Sequence, residues 1–226
     1  MMPVPPPQDE ASRLAVATVA IIGLGLMGGS LALALRGHCA RLVGCDQDPV
    51  IVNLALERNV VDAASASPVE VLAKANLVIL AIPVRASLEW LQRLPGYLPD
   101  RTVVMDVGST KSTVLEAMQA LPERFDPLGG HPMCGKEEGS LQNAEIGLFQ
   151  TAPFALSALP RTTPDARQMA VELVNVIGAR PLWVDAAVHD RWVASTSHLP
   201  HLLATALMLS TSPETAPLAG PGFRST

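Results

Sequence analysis

The feature that most constrains the fold is a glycine-rich turn between an apolar run and a helical pattern. Residues 16–22 form the apolar run, and the helical pattern extends over residues 31–36. Gly23 permits a tight turn, Gly25 allows a pyrophosphate to approach the backbone, and Gly28 allows the helix to pack closely on the strand. This order predicts a dinucleotide-binding unit, in which the amides and dipole of the helix N-terminus hold the phosphates.

The same turn supplies most of the residues predicted to bind the cofactor. They are Gly23, Leu24, Gly25, Leu26, Met27 and Gly28. Asp46 follows the next apolar run, at about the 20-residue spacing typical of the acid that binds the ribose. A carboxylate there accepts hydrogen bonds from both ribose hydroxyls and repels a 2′-phosphate, so we expect NAD as cofactor, with NADP still possible. The alternative is a structural glycine turn in which Asp46 is an ordinary loop acid.

Apolar and helical patterns alternate along most of the chain. The predicted strands cover residues 16–22, 41–45, 77–81, 102–106, 154–157 and 181–184. The predicted helices between them cover residues 27–36, 50–58, 69–74, 86–94, 112–120 and 165–177. Several strands are continuous apolar runs, as in parallel strands covered on both faces. The pattern therefore predicts an α/β fold, a Rossmann-type doubly wound sheet, over residues 13–184.

The residues on either side of this domain have different patterns. Residues 1–12 are rich in proline, lack the basic segment of a signal peptide, and are predicted to form a disordered tail. Residues 186–210 are predicted to form one long helix, which Pro200 can kink. Because one amphipathic helix cannot bury its own apolar face, we interpret residues 185–226 as the incomplete start of an all-helical substrate and dimerisation domain.

Composition narrows the class of protein. Of the 226 residues, 49% are hydrophobic, 16% are charged and 4% are aromatic, with a net charge of −5 and no basic stretch. We therefore expect no nucleic-acid binding. No apolar run reaches the ~18 residues of a membrane span, so we expect no membrane insertion. The three cysteines have neither metal-ligand nor CxxC spacing, and their odd number suits the reducing cytoplasm.

Two further strand ends are predicted to line the crevice in which such sheets bind their ligands. The residues concerned are Ile82, Pro83, Gly108 and Ser109. Ligands bind at the carboxyl ends of the strands, which places Ser109 where a nicotinamide meets its substrate. Ser109 can equally cap the helix that begins at Ser112. We interpret Lys111 as a structural or solvated charge more readily than as a ligand.

Histidines mark two segments as candidate reaction sites. Residues 129–139 are predicted to form a glycine-bounded loop, and His131 within it can exchange a proton near neutral pH. His198 and His201 share one face of the long predicted helix. No third metal ligand is evident, so we predict no metal site and interpret these two histidines as facing a small-molecule substrate. A polar face packed on the first domain is the alternative.

These motifs together resemble those of the prephenate/arogenate dehydrogenase family of tyrosine biosynthesis. The matching pieces are residues 23–30, the segment with Asp106, Ser109 and Lys111, the Gly-His-Pro-Met sequence at 130–133, and the run from His189-Asp190 to His201. The resemblance implies an NAD(P)-dependent oxidoreductase that decarboxylates prephenate or arogenate. The cofactor takes a hydride from the ring carbon that bears the hydroxyl, and the ring carboxyl leaves as CO2.

The resemblance also implies roles for individual residues. His131 accepts a hydrogen bond from the ring hydroxyl, and Ser109 helps to hold both that hydroxyl and the histidine. Lys136 and Glu137 follow the His-Pro-Met motif closely enough to contact the substrate, although Lys136 can also be solvated. They do not decide between prephenate and arogenate, which differ in a keto or an amino group.

The chain departs from the family at its end. In the family an arginine holds a substrate carboxylate, and it would be expected just after Thr226. The helices that form most of the family's dimer interface would follow, so we expect a C-terminally truncated member that is a homodimer when full length. The alternatives are a catalytically silent NAD-binding fragment, or a related β-hydroxyacid or imine oxidoreductase, which lacks the Ser-His-Leu-Pro-His run of residues 197–201.

Overall fold

An eight-stranded sheet forms the centre of the computed structural model, which describes residues 12–98, 101–136 and 138–224. Its strands are β1 (Thr18–Ile22), β2 (Arg41–Cys45), β3 (Ala63–Ser65), β4 (Leu77–Leu80), β5 (Val103–Asp106), β6 (Asp126–Pro132), β7 (Pro153–Ala158) and β8 (Arg180–Trp183). Residues 1–11, most of the predicted tail, and Glu137 lie outside the described residues. Ser12, the last residue of that predicted tail, donates its hydroxyl proton to Glu172 (2.9 Å).

The sheet has the strand order of a doubly wound fold. Across the sheet the order is β3-β2-β1-β4-β5-β6-β7-β8. Strands β1 to β6 are parallel, β7 is antiparallel to β6, and β8 is parallel to β7. Because the chain returns across β1 to add β4, the carboxyl ends of these two strands flank a crevice of the kind that binds ligands. The predicted Rossmann-type fold is confirmed.

Helices cover both faces of the sheet. The α-helices are α1 (Leu26–Leu35), α2 (Pro49–Glu57), α3 (Pro68–Leu72), α4 (Val84–Arg93), α5 (Ser112–Gln119), α6 (Pro164–Val176), α7 (Ala186–Val193), α8 (Leu199–Ser210) and α9 (Pro221–Arg224). Two of them begin at a side-chain cap followed by proline. Asp48 accepts a hydrogen bond from the Val50 amide (2.9 Å), and Thr163 accepts one from the Ala166 amide (3.2 Å). These caps fix where α2 and α6 start.

Hydrophobic side chains fill both faces of the sheet, which explains its continuous apolar strands. In β4, Leu77 and Ile79 belong to the core cluster shared with α1, α2 and α6, whereas Val78 and Leu80 belong to the cluster shared with α3, α4 and α5. All four residues are at most 1% exposed. Alternate residues of a strand face opposite sides, so a strand covered on both faces has to be apolar throughout.

Strand β6 corrects the prediction that residues 129–139 form a loop. Gly129 is paired with both β5 and β7, and Gly130, His131 and Pro132 continue the strand beside β7. These glycines are needed for packing and not for a turn. A Cβ on Gly130 would lie 2.5 Å from Cε of Met105 and 2.9 Å from the Asp106 carbonyl oxygen. The loop begins only after Pro132. Strand β3 was also absent from the prediction.

The long helix predicted over residues 186–210 is present, with an irregular turn in its middle. Helices α7 and α8 are joined by the π-helical turn Ala194–His198, which ends just before Pro200. Proline has no amide proton to donate to the preceding turn, so a widened turn at this point absorbs the missing hydrogen bond. In the described ranges, no helix combines the length and the apolar character that crossing a membrane requires.

Candidate active site

The glycine turn at the carboxyl end of β1 has the shape predicted for a phosphate-binding loop. Gly23 has a φ of +90° and donates its amide proton to the Cys45 carbonyl (2.8 Å). A Cβ on Gly28 would lie 1.8 Å from the Gly23 carbonyl oxygen. At Gly25, by contrast, no described atom would lie within 4 Å of an added Cβ. The turn is therefore closed against the protein at Gly23 and Gly28, and open at Gly25.

The N-terminus of α1 follows this opening directly. Among the described residues no side chain caps α1 at Gly25, and the first turn of the helix contains no acidic residue. The first amides of a helix have no partner within it, and its dipole favours an anion at that end. A bare helix N-terminus beside an open glycine fits a pyrophosphate, so the residues present match the cofactor that the sequence predicts.

Asp46 lies directly after β2 and contacts the same turn. Its Oδ2 accepts a hydrogen bond from the Leu24 amide (2.7 Å), and its Oδ1 accepts one from the Asp48 amide (3.0 Å). The side chain is half-buried. Each carboxylate oxygen can accept a second hydrogen bond, so both remain able to receive ribose hydroxyls. Asp46 therefore both braces the glycine turn and suits a ribose.

The other predicted crevice residues follow β4 and β5. A Cβ on Gly23 would lie 2.5 Å from Cγ2 of Ile82, so Ile82 packs against the glycine turn. Pro83 is exposed at the start of α4. The Gly108 amide donates to Asp106 Oδ2 (2.9 Å). Ile82 therefore joins the ends of β1 and β4, whereas the Gly108 contact shapes the turn that follows β5.

Ser109 is exposed and does not cap α5 in the described structure. The carboxylate of Asp190, from α7, takes that place. Its Oδ1 accepts the Lys111 amide proton (2.7 Å) and its Oδ2 accepts the Ser112 amide proton (2.9 Å). The interpretation of Ser109 as a helix cap is therefore wrong, and its hydroxyl is available to a ligand.

A buried ion pair lies beneath this edge. The side chains of Lys111 and Asp106 are both 0% exposed, and the Lys111 ammonium donates to Asp106 Oδ2. Burial raises the pKa of Asp106 and lowers the pKa of Lys111, while each charge opposes the shift of the other. The interpretation of Lys111 as a structural charge is confirmed. A buried pair of this kind is stable only while both partners are present.

His131 lies two residues beyond the point where β6 is level with the end of β5. Gly129 is in register with Asp106, so His131 extends past β5 at the carboxyl edge of the parallel strands. Its Nδ1 lies 2.9 Å from Nε2 of His189, and the two rings meet edge to face at 5.1 Å between centroids. In turn, Nδ1 of His189 lies 2.8 Å from Oδ1 of Asp190.

The electrostatics of this group favour a neutral His131 beside an anionic Asp190. Burial, reinforced by Lys111, His189 and His198, lowers the pKa of His131 to about 3, although Asp190 opposes the shift. Burial works against ionisation of Asp190, but the hydrogen bonds from Ser112, His189 and Lys111 outweigh it and lower the pKa of Asp190 to about 2. A neutral imidazole has a lone pair with which it can accept a hydrogen bond from a hydroxyl group.

The remaining predicted residues are less clearly placed around His131. His198 is half-buried in the π-helical turn and close enough to influence the pKa of His131, whereas His201 is exposed on α8. Lys136 is exposed and engaged elsewhere, with Nζ 2.7 Å from Glu145 Oε2 and 3.2 Å from the Asn143 carbonyl oxygen. Glu137 lies outside the described residues. In the described ranges, no three His, Cys, Asp or Glu side chains form a group that could hold a metal.

His189 and Asp190 belong to the histidine-rich run that matched the family, but sequence reasoning foresaw neither the contact of His189 with His131 nor any role for Asp190. Both stand at the start of the histidine-rich run, yet their partners His131 and Lys111 lie 58 and 79 residues earlier in the chain. The adjacent His-Asp pair was the available signal, because a carboxylate next to a histidine commonly orients its ring.

Comparisons with known proteins identify the family of the chain. The family model described as prephenate dehydrogenase, nucleotide-binding domain, matches residues 31–182, which is more than half of the chain. Prephenate dehydrogenases of Lactococcus lactis subsp. cremoris and Bacillus subtilis are 32% and 33% identical to the chain over 217 and 198 residues. The matches cover 91% and 86% of the chain but 59% and 53% of these relatives, so the chain spans little more than half of their length.

The fold is also similar to that of a solved relative. The prephenate dehydrogenase of Aquifex aeolicus, crystallised with hydroxyphenyl propionate and NAD+, aligns with a TM-score of 0.83 and 27% identity. The alignment covers 94% of this chain and 77% of that one. The resemblance predicted from the motifs is thus confirmed by both kinds of match. The chain belongs to the prephenate dehydrogenase family.

Proposed function

We propose that this protein catalyses the NAD-dependent oxidative decarboxylation of prephenate or arogenate. The observation that carries the proposal is the neutral, half-buried His131 at the carboxyl edge of β6. The open glycine turn lies at the carboxyl end of β1, and β1 and β6 run in the same direction. A proton acceptor and a dinucleotide site thus share one edge of the sheet, as a hydride transfer from a hydroxyl-bearing carbon requires.

The proposed cofactor site uses the residues whose geometry fits a dinucleotide. The turn from Gly23 to Gly28 would hold the pyrophosphate, Asp46 the ribose hydroxyls, and Ile82, Pro83 and Gly108 the nicotinamide side of the crevice. When bound, NAD supplies the hydride acceptor. Because Asp46 presents an anion where NADP carries a phosphate, NAD is the preferred form.

The proposed role of His131 follows from the charge that develops on the substrate. When the hydride leaves the ring carbon that bears the hydroxyl, that carbon becomes carbonyl-like and its oxygen becomes acidic. His131 stabilises this change by accepting a hydrogen bond from the hydroxyl. The bond to the ring carboxylate then breaks, its electron pair makes the ring aromatic, CO2 leaves, and the oxygen keeps its proton as a phenol.

The other predicted substrate residues are Ser109, His198, His201, Lys136 and Glu137. Ser109 is exposed after β5 and is proposed to bind the same hydroxyl as His131. His198 and His201 are proposed to face the substrate from the helical segment. Lys136 would reach it only by leaving its ion pair with Glu145, and Glu137 is retained from the motif alone.

The direct test is to mix the chain with NAD and either substrate and to follow reduced cofactor at ~340 nm. The variant His131→Asn should lower turnover by a factor of about 100 to 10,000, the usual contribution of a general base. The matched control is His38→Asn, because His38 is exposed at the end of α1, and it should retain turnover. Full activity in His131→Asn would contradict the proposal.

A second candidate is a chain that binds the cofactor but does not turn over substrate. The chain spans little more than half the length of its relatives, and α8, as far as the structure describes it, has no buried residue. Calorimetry separates the two candidates. Binding of NAD without reduction in the presence of either substrate would favour the silent candidate.

We further propose that the protein forms homodimers and acts in the cytoplasm. Several apolar side chains of the helical segment are at least 50% exposed, which is unusual for a surface that meets only water. They include Trp192, Leu199, Leu202, Leu203 and Leu209. The three free cysteines fit a reducing compartment. Sedimentation equilibrium tests the dimer, and a monomer at all concentrations would contradict it.

A further inference from the structure

We propose that His189 and Asp190 are positioning residues that hold His131 in the tautomer with its proton on Nδ1, which leaves Nε2 as the proton acceptor. The inference rests on the proposed function for its catalytic meaning. The tautomer itself is a property of the protein alone. It can therefore be tested whether or not the chain turns over substrate.

The argument starts at Asp190, whose orientation is fixed by backbone groups. Its Oδ1 and Oδ2 accept the amide protons of Lys111 and Ser112 at 2.7 and 2.9 Å. These amides open α5, where the helix dipole favours an anion. Burial opposes ionisation of Asp190, but hydrogen bonds from Ser112, His189 and Lys111 outweigh it and lower its pKa to about 2, so at neutral pH the carboxylate is ionised and can only accept hydrogen bonds.

The ionised carboxylate determines the protonation of His189. Its Nδ1 lies 2.8 Å from Asp190 Oδ1, and this distance requires a proton on Nδ1 because two lone pairs would repel each other. In the neutral ring that we propose for His189, Nδ1 is the donor and Nε2 is therefore an acceptor. The side chain is 2% exposed, which leaves little room for the ring to adopt another orientation.

The acceptor on His189 in turn determines which nitrogen of His131 carries the proton. Its Nδ1 lies 2.9 Å from Nε2 of His189, and since that nitrogen is an acceptor, Nδ1 of His131 carries the proton. Nε2 of His131 makes no hydrogen bond within the described residues, and in this tautomer it has a lone pair. The groups that face His131 are Lys111, His189, His198 and Asp190, and only Asp190 is an anion. Its negative charge reaches His131 through His189.

The chain of contacts gives Asp190 and His189 a definite function. A histidine can accept a hydrogen bond from the substrate hydroxyl only when its unprotonated nitrogen faces that hydroxyl, and a wrong tautomer has the correct shape but little activity. Fixing the tautomer also fixes the ring, which removes rotational freedom before substrate arrives. Neither residue needs to touch substrate, so we assign both a positioning role.

The decisive experiment is nitrogen NMR of the whole chain labelled with ¹⁵N-histidine at neutral pH. The spectrum of His131→Asn identifies the His131 signals by their loss. The expected result is a protonated Nδ1 and an unprotonated Nε2 at His131. A proton on Nε2 with a bare Nδ1 would overturn the proposal. Because neither NAD nor substrate is present, a failure of the proposed function would not alter this result.

Two variants test whether His189 and Asp190 cause the tautomer. His189→Phe removes the acceptor of the His131 proton but leaves Asp190 in place on α5, so the His131 signals should shift to the other tautomer or to a mixture. Asp190→Asn should do the same. Unchanged His131 signals in both folded variants would overturn the proposal, and circular dichroism establishes folding.

The matched control is Asp185→Asn on the same helix. Asp185 accepts the amide protons of Ala187 and Val188, has no contact with His131, and Asn caps helices equally well. It should leave the His131 signals and turnover unchanged. If the protein turns over substrate, Asp190→Asn and His189→Phe should lower kcat by about 100- to 10,000-fold while the KM for NAD stays unchanged. An equal rise in KM without loss of kcat would indicate a merely structural role.

Discussion

The two halves of the long C-terminal helix have opposite relations to the rest of the molecule. Helix α7 buries His189 and Val193 and is tied to α5 through Asp190. Helix α8 follows after a single π-helical turn, yet none of its described residues is buried. Burial and hydrogen bonding, and not chain continuity, therefore decide which part of the long helix packs on the sheet domain. By this criterion α7 packs on the sheet domain and the described residues of α8 do not.

The largest loss of stability is expected when the ion pair between Lys111 and Asp106, beneath α7, is disturbed. Lys111→Met leaves the carboxylate of Asp106 buried without its partner, which should lower the free energy of unfolding by about 3–5 kcal/mol. Urea denaturation measures the loss. The double variant Asp106→Leu/Lys111→Met should recover much of it because no unpaired charge remains. Equal losses in the single and double variants would contradict the assignment of a paired structural charge.

A smaller effect is expected at the glycine turn. Gly28→Ala places a Cβ 1.8 Å from the Gly23 carbonyl oxygen, and such overpacking should cost about 1–3 kcal/mol and abolish NAD binding. Gly25→Ala is the matched control for stability, because its Cβ meets no described atom within 4 Å. It should unfold like the parent protein but bind NAD more weakly in calorimetry. Equal stability of the two variants would refute the packing role of Gly28.

The pH dependence of the free energy of unfolding should show that the folded chain keeps His131 neutral. Its pKa in the folded chain, about 3, lies below the ordinary value of 6.5, so between these values the unfolded chain takes up a proton that the folded chain does not. The free energy of unfolding should therefore fall as the pH drops from 6.5 toward 5, by at most about 1.4 kcal/mol per pH unit. Partial exposure of His131 reduces this slope.

Denaturation of His131→Asn at pH 6.5 and pH 5 measures this contribution. The variant should lose part of the slope, since asparagine does not titrate in this range. His38→Asn is the control and should retain the slope of the parent protein, because His38 is exposed. A slope unchanged in His131→Asn would mean that His131 takes up its proton equally well in the folded chain.

The smallest effect on stability is expected in α8. Leu209 is 84% exposed, so Leu209→Ser should change the free energy of unfolding of the monomer by less than about 0.5 kcal/mol. It should weaken self-association, which sedimentation measures, if this face forms the proposed dimer. Val193→Ser, on the buried side of α7, should be clearly destabilising by comparison. Similar losses of free energy of unfolding in the two variants would contradict the difference in packing between α7 and α8.

Local chemistry explains which parts of the fold were predictable from the sequence. The glycine turn, Asp46 and the apolar strand β4 each have a signal within a few neighbouring residues. Strand β6 does not, because glycine and proline are poor strand formers and are tolerated there by the packing of β5 and β7. Strand β3 is short and has little apolar character, so its pairing with β2 was not apparent from its sequence.

In the candidate site, too, local motifs predicted some features and tertiary contacts determine the others. His131 was identified from its own motif, but as part of a loop, and its position on a strand depends on pairing with β7. The contacts of His131 with His189 and of Asp190 with Lys111 join residues far apart in the chain. Such contacts arise only when α7 docks on the sheet. Sequence motifs can identify a candidate catalytic residue such as His131, whereas the hydrogen bonds that orient it depend on tertiary structure.

The two contacts of Asp190 also link catalysis to local unfolding. The carboxylate joins the first amides of α5 to the ring of His189, so α7 cannot move away from the sheet without releasing both. A local opening that exposes the Lys111 and Ser112 amides to hydrogen exchange would therefore also free the ring of His131. Amide exchange at these two positions would then measure how often the proposed base loses its orientation.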